Sequence, residues 1–265
     1  KNVYRSIIEQ HILFMIKSQF LSRFITKNIK NKINPINNLI PDKIYYKTKN
    51  NRKIDPYTIY DIKLEKAIKK EIEKKFPYHQ IVGEEKIKKI TDSKYSWIID
   101  PIDGTKSLIL GLPTWSNLIG VSFKKKPLVG FANFPAMNKY YFSDGYKTYL
   151  VSKNKKKCIT SGKQFREEKF SIVLNSLHVI KNKKYLNFFK KTNKLLKLSG
   201  ADAYNYCLLA EGKIDSIIDA GVKPYDIIPL VPIINCSGGI ISNFKGFEDI
   251  SRGEIVVSRN KKIHT

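Results

Sequence analysis

The chain has 265 residues, 42% of them hydrophobic, enough to bury a sizeable core in one large domain or two closely packed halves, which excludes a disordered polymer. Its 49 Lys+Arg against 23 Asp+Glu give a net charge of +26; that attracts anions, yet the basic tracts carry neither interleaved aromatics nor a recognisable binding module, so no nucleic-acid partner is expected. Three cysteines, Cys158, Cys207 and Cys236, are an odd number without metal-ligand spacing, which argues against a disulfide framework or zinc site and for a reducing, cytoplasmic setting.

The first apolar run, ending at Ile16, contains Glu9, Gln10 and His11. It is far too short to span a bilayer, so no membrane partner is expected, and it reads as an amphipathic helix with Ile8, Ile12, Met15 and Ile16 on one face. Asn28 to Asn51 is polar, holds Pro35 and Pro41, and is expected to be loop or weak strand. Thr58 to Lys75 predicts a helix, with Thr58 and Asp61 spaced as a capping pair, Ile62, Leu64, Ala67, Ile68 and Ile72 as its apolar set, and Pro77 as its stop.

Short apolar runs at 80–82, 95–99, 117–123, 128–134 and 140–142, separated by turn residues, predict an extended sheet. The lysine tracts Lys153 to Lys157 and Lys181 to Lys184 read as solvated loops between elements. From Phe170 onward strand and helix candidates alternate: strands at 170–175, 195–200, 213–219 and 238–244, helices at Val179 to Lys191, Ala203 to Glu211 and Tyr225 to Cys236. That alternation implies a layered α/β arrangement. A boundary near Val151 divides an N-terminal α+β half, 1–150, from a C-terminal α/β half, 151–265, the two forming one catalytic unit.

Acids stand at the ends of several apolar runs: Asp61, the pair Glu84 and Glu85, Asp100 and Asp103, and Asp226. Carboxylates converging on one point repel unless cations sit between them, and hard oxygen ligands with water select Mg²⁺. Asp100 and Asp103 flank Pro101-Ile102, a spacing that can set both carboxylates and an intervening carbonyl around adjacent ions, and two such ions can activate water and stabilise the leaving oxygen of a phosphate ester. If a helix starts after Asp103, the backbone N–H groups at Gly104 and Thr105 can receive phosphate oxygens. Taken singly, each motif also reads as something plainer: an exposed turn at "GEE", a polar loop at "DPIDG", a helix start at "KPYD". The four histidines are scattered and no serine sits in a nucleophile elbow, so covalent catalysis is not expected.

Four blocks in order, "DPYTIYDIKLE" (Asp55 to Glu65), "IVGEE" (Ile81 to Glu85), "WIIDPIDGTKSLILGLPTW" (Trp97 to Trp115) and "KPYDIIPLVPIINCSGG" (Lys223 to Gly239), resemble the inositol monophosphatase superfamily of Mg²⁺-dependent phosphatases. The resemblance implies an αβαβα sandwich, usually dimeric, with two to three Mg²⁺ ions per site. It implies that Glu84, Asp100 and the Ile102 carbonyl bind one ion and Asp100, Asp103 and Asp226 a second, with a third near Glu84. Asp61 and Thr105 would orient and deprotonate the attacking water, Glu84 joining them in the catalytic set, while the backbone of Gly104 and Thr105 holds the phosphate. Asn235, Tyr57 and Tyr60 depart from the family pattern without removing a ligand, and the family's upstream lysine is unassigned among Lys47, Lys49 and Lys53.

Within the superfamily, Lys106-Ser107, Trp115 and "KPYD" look most like the histidinol-phosphate phosphatase branch. L-Histidinol phosphate is the substrate so implied, with Asp202 meeting its cationic end unless that residue serves only as a helix cap. The alternatives are an inositol monophosphate or nucleotide bisphosphate substrate, or, in a different class, a basic RNA-binding protein on a phosphatase-like scaffold.

Overall fold

The computed structural model describes residues 2–38, 46–50, 53–85, 88–162, 170–175, 187 and 196–264. The chain begins in helices: α1 (Asn2–Phe24) runs through a π turn, Ile25–Ile29, into α2 (Lys30–Asn37). The loop expected from Asn28 is thus helical as far as Asn37. Ile25, Ile29 and Ile33, spaced by four, form one stripe buried in a cluster with Ile68 and Ile72, and that burial outweighs Pro35 near the helix end.

A two-stranded antiparallel sheet, β1 (Tyr46–Asn50) with β2 (Lys53–Thr58), leads into α3 (Ile59–Lys75). Thr58 caps α3 as the sequence predicts: its Oγ1 accepts from the Tyr60 N–H, and Asp61 Oδ2 accepts from the Thr58 N–H at 2.7 Å.

Then come β3 (Gln80–Gly83), β4 (Lys88–Lys89), β5 (Tyr95–Asp103), α4 (Thr105–Ile109), β6 (Ser116–Phe123), β7 (Lys126–Phe134), β8 (Lys139–Ser143), β9 (Thr148–Ser152) and β10 (Lys155–Ile159). The strands make one eight-stranded sheet in the order β10-β9-β8-β7-β6-β5-β3-β4, parallel only between β3 and β5. Lys155, Lys156 and Lys157 therefore lie in an edge strand, and the turn is confined to Lys153 and Asn154, both with positive φ. Lysines on β10 and β4 occupy both edges, where they oppose pairing with another chain.

The second sheet has the order β12-β11-β13-β15-β14. Its elements are β11 (Ser171–Leu174), β12 (Leu196–Ser199), α5 (Asp202–Ala210), β13 (Ser216–Ala220), α6 (Pro224–Ile227), α7 (Val231–Ser237), β14 (Ile240–Asn243), β15 (Glu254–Ser258) and α8 (Lys261–His264). The single helix expected over Tyr225 to Cys236 is two, because Pro229 and Pro232 supply no N–H to a continuous ladder. The helix expected over Val179 to Lys191 falls, but for Asn187, outside the described residues.

Helices α1 to α3 cover one face of the large sheet around Trp97, Ile99 and Phe131. The other face shares a core with α5, α7 and the second sheet, built on Leu118, Phe134, Tyr206, Ile233 and Val257. This is the layered α/β arrangement that the alternation of elements implied.

Candidate active site

The acidic segment owes its geometry to a bulge. Asp100 pairs with Leu118 and Asp103 with Ser116, so three steps on β5 match two on β6. In a regular strand residues three apart point to opposite faces; the extra residue at Pro101-Ile102 turns both carboxylates to the same side. Proline, which has no N–H to give a ladder, fits such a position. The bulge is held from beneath: Asn117 Nδ2 donates to the Pro101 carbonyl at 2.7 Å, while Asn117 Oδ1 accepts from Asn37 at 2.9 Å and Asn133 at 2.8 Å.

The rest of the chain brings acids to that bulge. Pro229, in the linker after α6, crosses the large sheet so closely that a Cβ on Gly130 would overlap the Pro229 carbonyl. That close approach sets α6 against β5, and Asp226 arrives beside Asp100 and Asp103, with carboxylate oxygens of all three within 4.8 Å of one another. From the other side α5 grips Asp103: the Ala203 N–H donates to Asp103 Oδ2 at 3.1 Å, and the Ser116 hydroxyl donates to the same oxygen at 3.3 Å. Gly104 follows in the left-handed region at φ 76°, a conformation open to glycine, and a Cβ there would stand 2.8 Å from Asp202 Oδ2.

Burial makes this cluster electrostatically unfavourable on its own. Desolvation raises the Asp100 carboxyl well above the usual range, and Glu84, Asp103 and Asp226 raise it further. Asp103 is raised likewise, by burial first and then by Asp202 and Asp226. Burial pushes Asp226 to about 7, against the Lys223 N–H that it accepts at 2.7 Å. Asp61 rises to about 6 because it is desolvated, although the Thr58 N–H and hydroxyl, at 2.7 and 2.6 Å, pull the other way. Asp100 Oδ1 and Asp61 Oδ1 are buried without a hydrogen-bond partner. Unpartnered, mutually repelling, all-oxygen donors are what Mg²⁺ neutralises, so the residues present fit the ion.

Glu84, in the bend after β3, hydrogen-bonds with Asp100, and its N–H donates to the Ile99 carbonyl at 3.0 Å. The Thr105 hydroxyl donates to the Ile102 carbonyl at 3.0 Å, whereas the hydroxyl on Asp61 is that of Thr58. Asp202 is not an N-cap. It is the first residue of α5, with φ 41°, after Ala201 at φ 73°, and its Oδ2 accepts from the Ser107 hydroxyl at 3.4 Å. Two consecutive non-glycine residues in the left-handed region mark local strain beside the site.

Asp103, Asp202 and Asp226 line a cavity of about 170 Å³ together with Asn175, Tyr206 and Asp219. Sequence reasoning missed the last three. Asp219 ends the apolar run "SIID", the same signal that picked out Asp100, and could have been found by it. Its carboxylate accepts from Tyr206 Oη at 2.7 Å, Asn175 Nδ2 at 2.9 Å and the Ala220 N–H at 2.8 Å. Tyr206 and Asn175 offered no such signal, because only the packing of α5 on β11 and β13 brings them there.

Similarity to known proteins agrees with this geometry. The chain is 33% identical over 197 residues to the bifunctional phosphatase IMPL2, chloroplastic, of Arabidopsis thaliana, covering 73% of this chain and 56% of that protein, so it spans little more than half of that relative. A fructose-1,6-bisphosphatase/inositol-1-monophosphatase of Aquifex aeolicus is 31% identical over 76% of this chain and 75% of its own length, and a histidinol-phosphatase of Chlorobaculum parvum 27% over 77% and 79%. The fold is that of the inositol monophosphatase from Thermotoga maritima, with a TM-score of 0.76 at 23% identity over 91% of this chain and 94% of that one. No helix among the described residues is long and apolar enough to cross a membrane. The inositol monophosphatase family model matches residues 21–265, and the chain belongs to that family, whose members are Mg²⁺-dependent phosphatases hydrolysing phosphoric monoesters.

Proposed function

We propose that this chain hydrolyses L-histidinol phosphate to L-histidinol and phosphate. The observation that carries the reading is the place of Asp202: a half-buried carboxylate beside Gly104, on the wall of the acidic cavity and outside the three acids close enough to share a metal. A carboxylate there suits a substrate that carries a cation next to its phosphate, which inositol and fructose phosphates lack.

Under this reading Glu84, Asp100 and the Ile102 carbonyl would hold one Mg²⁺, Asp100, Asp103 and Asp226 would hold a second, and Glu84 would also serve a third. When bound, the metal supplies Lewis-acid polarisation of the phosphate and of the attacking water. Asp61, with Thr105, orients that water and takes its proton; a carboxyl raised to about 6 is a better base near neutral pH than an ordinary aspartate. The backbone at Gly104 and Thr105 receives the phosphate oxygens, and Asp202 receives the ammonium or imidazolium. The same reading has the chain acting as a cytoplasmic homodimer on a small phosphorylated substrate, and its free cysteines agree with a reducing compartment.

The test is phosphate release with Mg²⁺ from L-histidinol phosphate, inositol 1-phosphate, fructose 1,6-bisphosphate, adenosine 3′,5′-bisphosphate and p-nitrophenyl phosphate, with EDTA as control. Preference for histidinol phosphate, lost with EDTA, is expected. Asp202→Asn should lower kcat/KM on histidinol phosphate by about tenfold or more, the worth of one charge-assisted hydrogen bond, and leave p-nitrophenyl phosphate nearly unchanged. Preference for another ester, or equal losses on both substrates, overturns the assignment.

A further inference from the structure

Between Ile12 and Ser22, helix α1 buries serines and exposes large apolar side chains. Ser18 and Ser22 are 0% and 4% exposed against the large sheet, while Ile12, Leu13, Ile16 and Phe20 are 48%, 52%, 58% and 48% exposed. The sequence predicts the opposite packing for Ile12 and Ile16. The reason is close approach: a Cβ on Gly145 would meet Ser18 Cβ at 2.7 Å, so a small side chain sits at that crossing, and large apolar side chains are buried only further along α1, at Leu21 and Phe24. Four large apolar groups on one exposed face of a helix are a lasting cost unless something covers them.

Beside this face lies a cleft of about 780 Å³, walled by Ile16 and Phe20 of α1 and floored by Tyr140, Phe142 and Val151 of the sheet. Among the described residues its charged lining is Arg23, Lys27 and Lys156, with Asp144 the one acid. Lys156 stands 3.8 Å from the Tyr149 ring and 5.2 Å from that of Phe142, which fixes a cation over the aromatic floor. In sheet order β6 and β7 separate these strands from β5 and its acids. The family model matches from Leu21 onward.

We propose that this cleft docks an acidic amphipathic helix of another protein, its apolar stripe on Ile16, Phe20 and Phe142 and its carboxylates on Arg23, Lys27 and Lys156. Charge selects the occupant. A second copy seated in this cleft by two-fold symmetry would set Arg23, Lys27 and Lys156 against their own counterparts, whereas an acidic helix finds complementary charge along the lining. Shape excludes a flat bilayer from a cleft between a helix and a sheet, and fits the helix-in-groove mode of recognition.

The test measures fluorescence anisotropy of a synthetic 18-residue helical peptide, with leucines at i, i+4, i+7 and i+11 and glutamates on both flanks, against the full chain at 150 mM NaCl. Saturable binding is expected, weakened at least tenfold by Ile16→Ser/Phe20→Ser, which leaves the charge of the protein untouched, and weakened likewise by Arg23→Glu/Lys27→Glu. Phosphatase activity on p-nitrophenyl phosphate should be unchanged in both variants, which shows that they fold. The proposal is overturned if the peptide does not bind, or if a control peptide with its leucines replaced by glutamine binds equally, which is charge attraction alone. It is also overturned if sedimentation shows a wild-type dimer that Ile16→Ser/Phe20→Ser dissociates, or if the protein floats with phosphatidylglycerol vesicles through these same residues.

Discussion

Two carboxylate centres shielded from solvent are finished differently. Asp215 is answered entirely by its own chain: Arg259 pairs with it through Nε, and the Ser171 N–H and hydroxyl donate to it at 2.7 and 2.9 Å. Asp100, Asp103 and Asp226 have oxygens within 4.8 Å of one another, with Glu84 hydrogen-bonded to Asp100, and among the described residues the charged groups that shift them are other acids. The difference teaches that the first centre is a fastening, tying β11, β13 and the end of β15 together, and the second a cluster whose geometry could hold a metal ion.

The largest effect should come from breaking the cluster. Asp100→Asn is expected to lower kcat/KM by about 10³-fold or more, several kcal/mol of transition-state stabilisation, while circular dichroism shows an intact fold and metal-free stability no lower than wild type. Breaking the fastening should do the reverse. Asp215→Asn leaves Arg259 buried without its partner and should cost roughly 3 kcal/mol in urea unfolding, with activity per folded molecule retained. Exchange of these two outcomes would undo the comparison.

A pH experiment sharpens it. Asp226 is raised to about 7, so its folded state favours the protonated form: its contribution to stability is fully present below its unfolded pKa near 4 and is lost as pH rises through about 7. In EDTA the wild type should lose about 2 kcal/mol, after discounting for solvent screening, relative to Asp226→Asn between pH 4 and 7.5, and Mg²⁺ should restore it. An equal pH dependence in the two proteins would deny that Asp226 is strained. The smallest effect belongs to Thr58, which caps α3 and donates to Asp61. Thr58→Val should cost about 1 kcal/mol in urea unfolding.

The acids themselves were legible in the chain because each ends an apolar run, and a carboxylate at the end of a strand or the start of a helix is a local signal. Thr58 was read correctly as a cap for the same reason, its partners lying two and three residues away. Asn117, by contrast, is an unremarkable residue in "SNLIGVSF". Its role under the Pro101 bulge depends on Asn37, 80 positions away, and no local pattern announces that.

What the sequence by itself determined was therefore the inventory: most of the strands and the capped helix after Thr58, the acids that end apolar runs, and the order of the motifs that mark the family. Tertiary structure alone decided the bulge that turns Asp100 and Asp103 to one side, the approach of Pro229 to Gly130 that delivers Asp226, and the exposure of Ile12 and Ile16 on α1. The reason is physical. Periodicity and capping are set by neighbours within a turn or a strand, whereas register, close approach and which face of a helix is covered are set by groups far apart in the chain, which meet only when the layers pack.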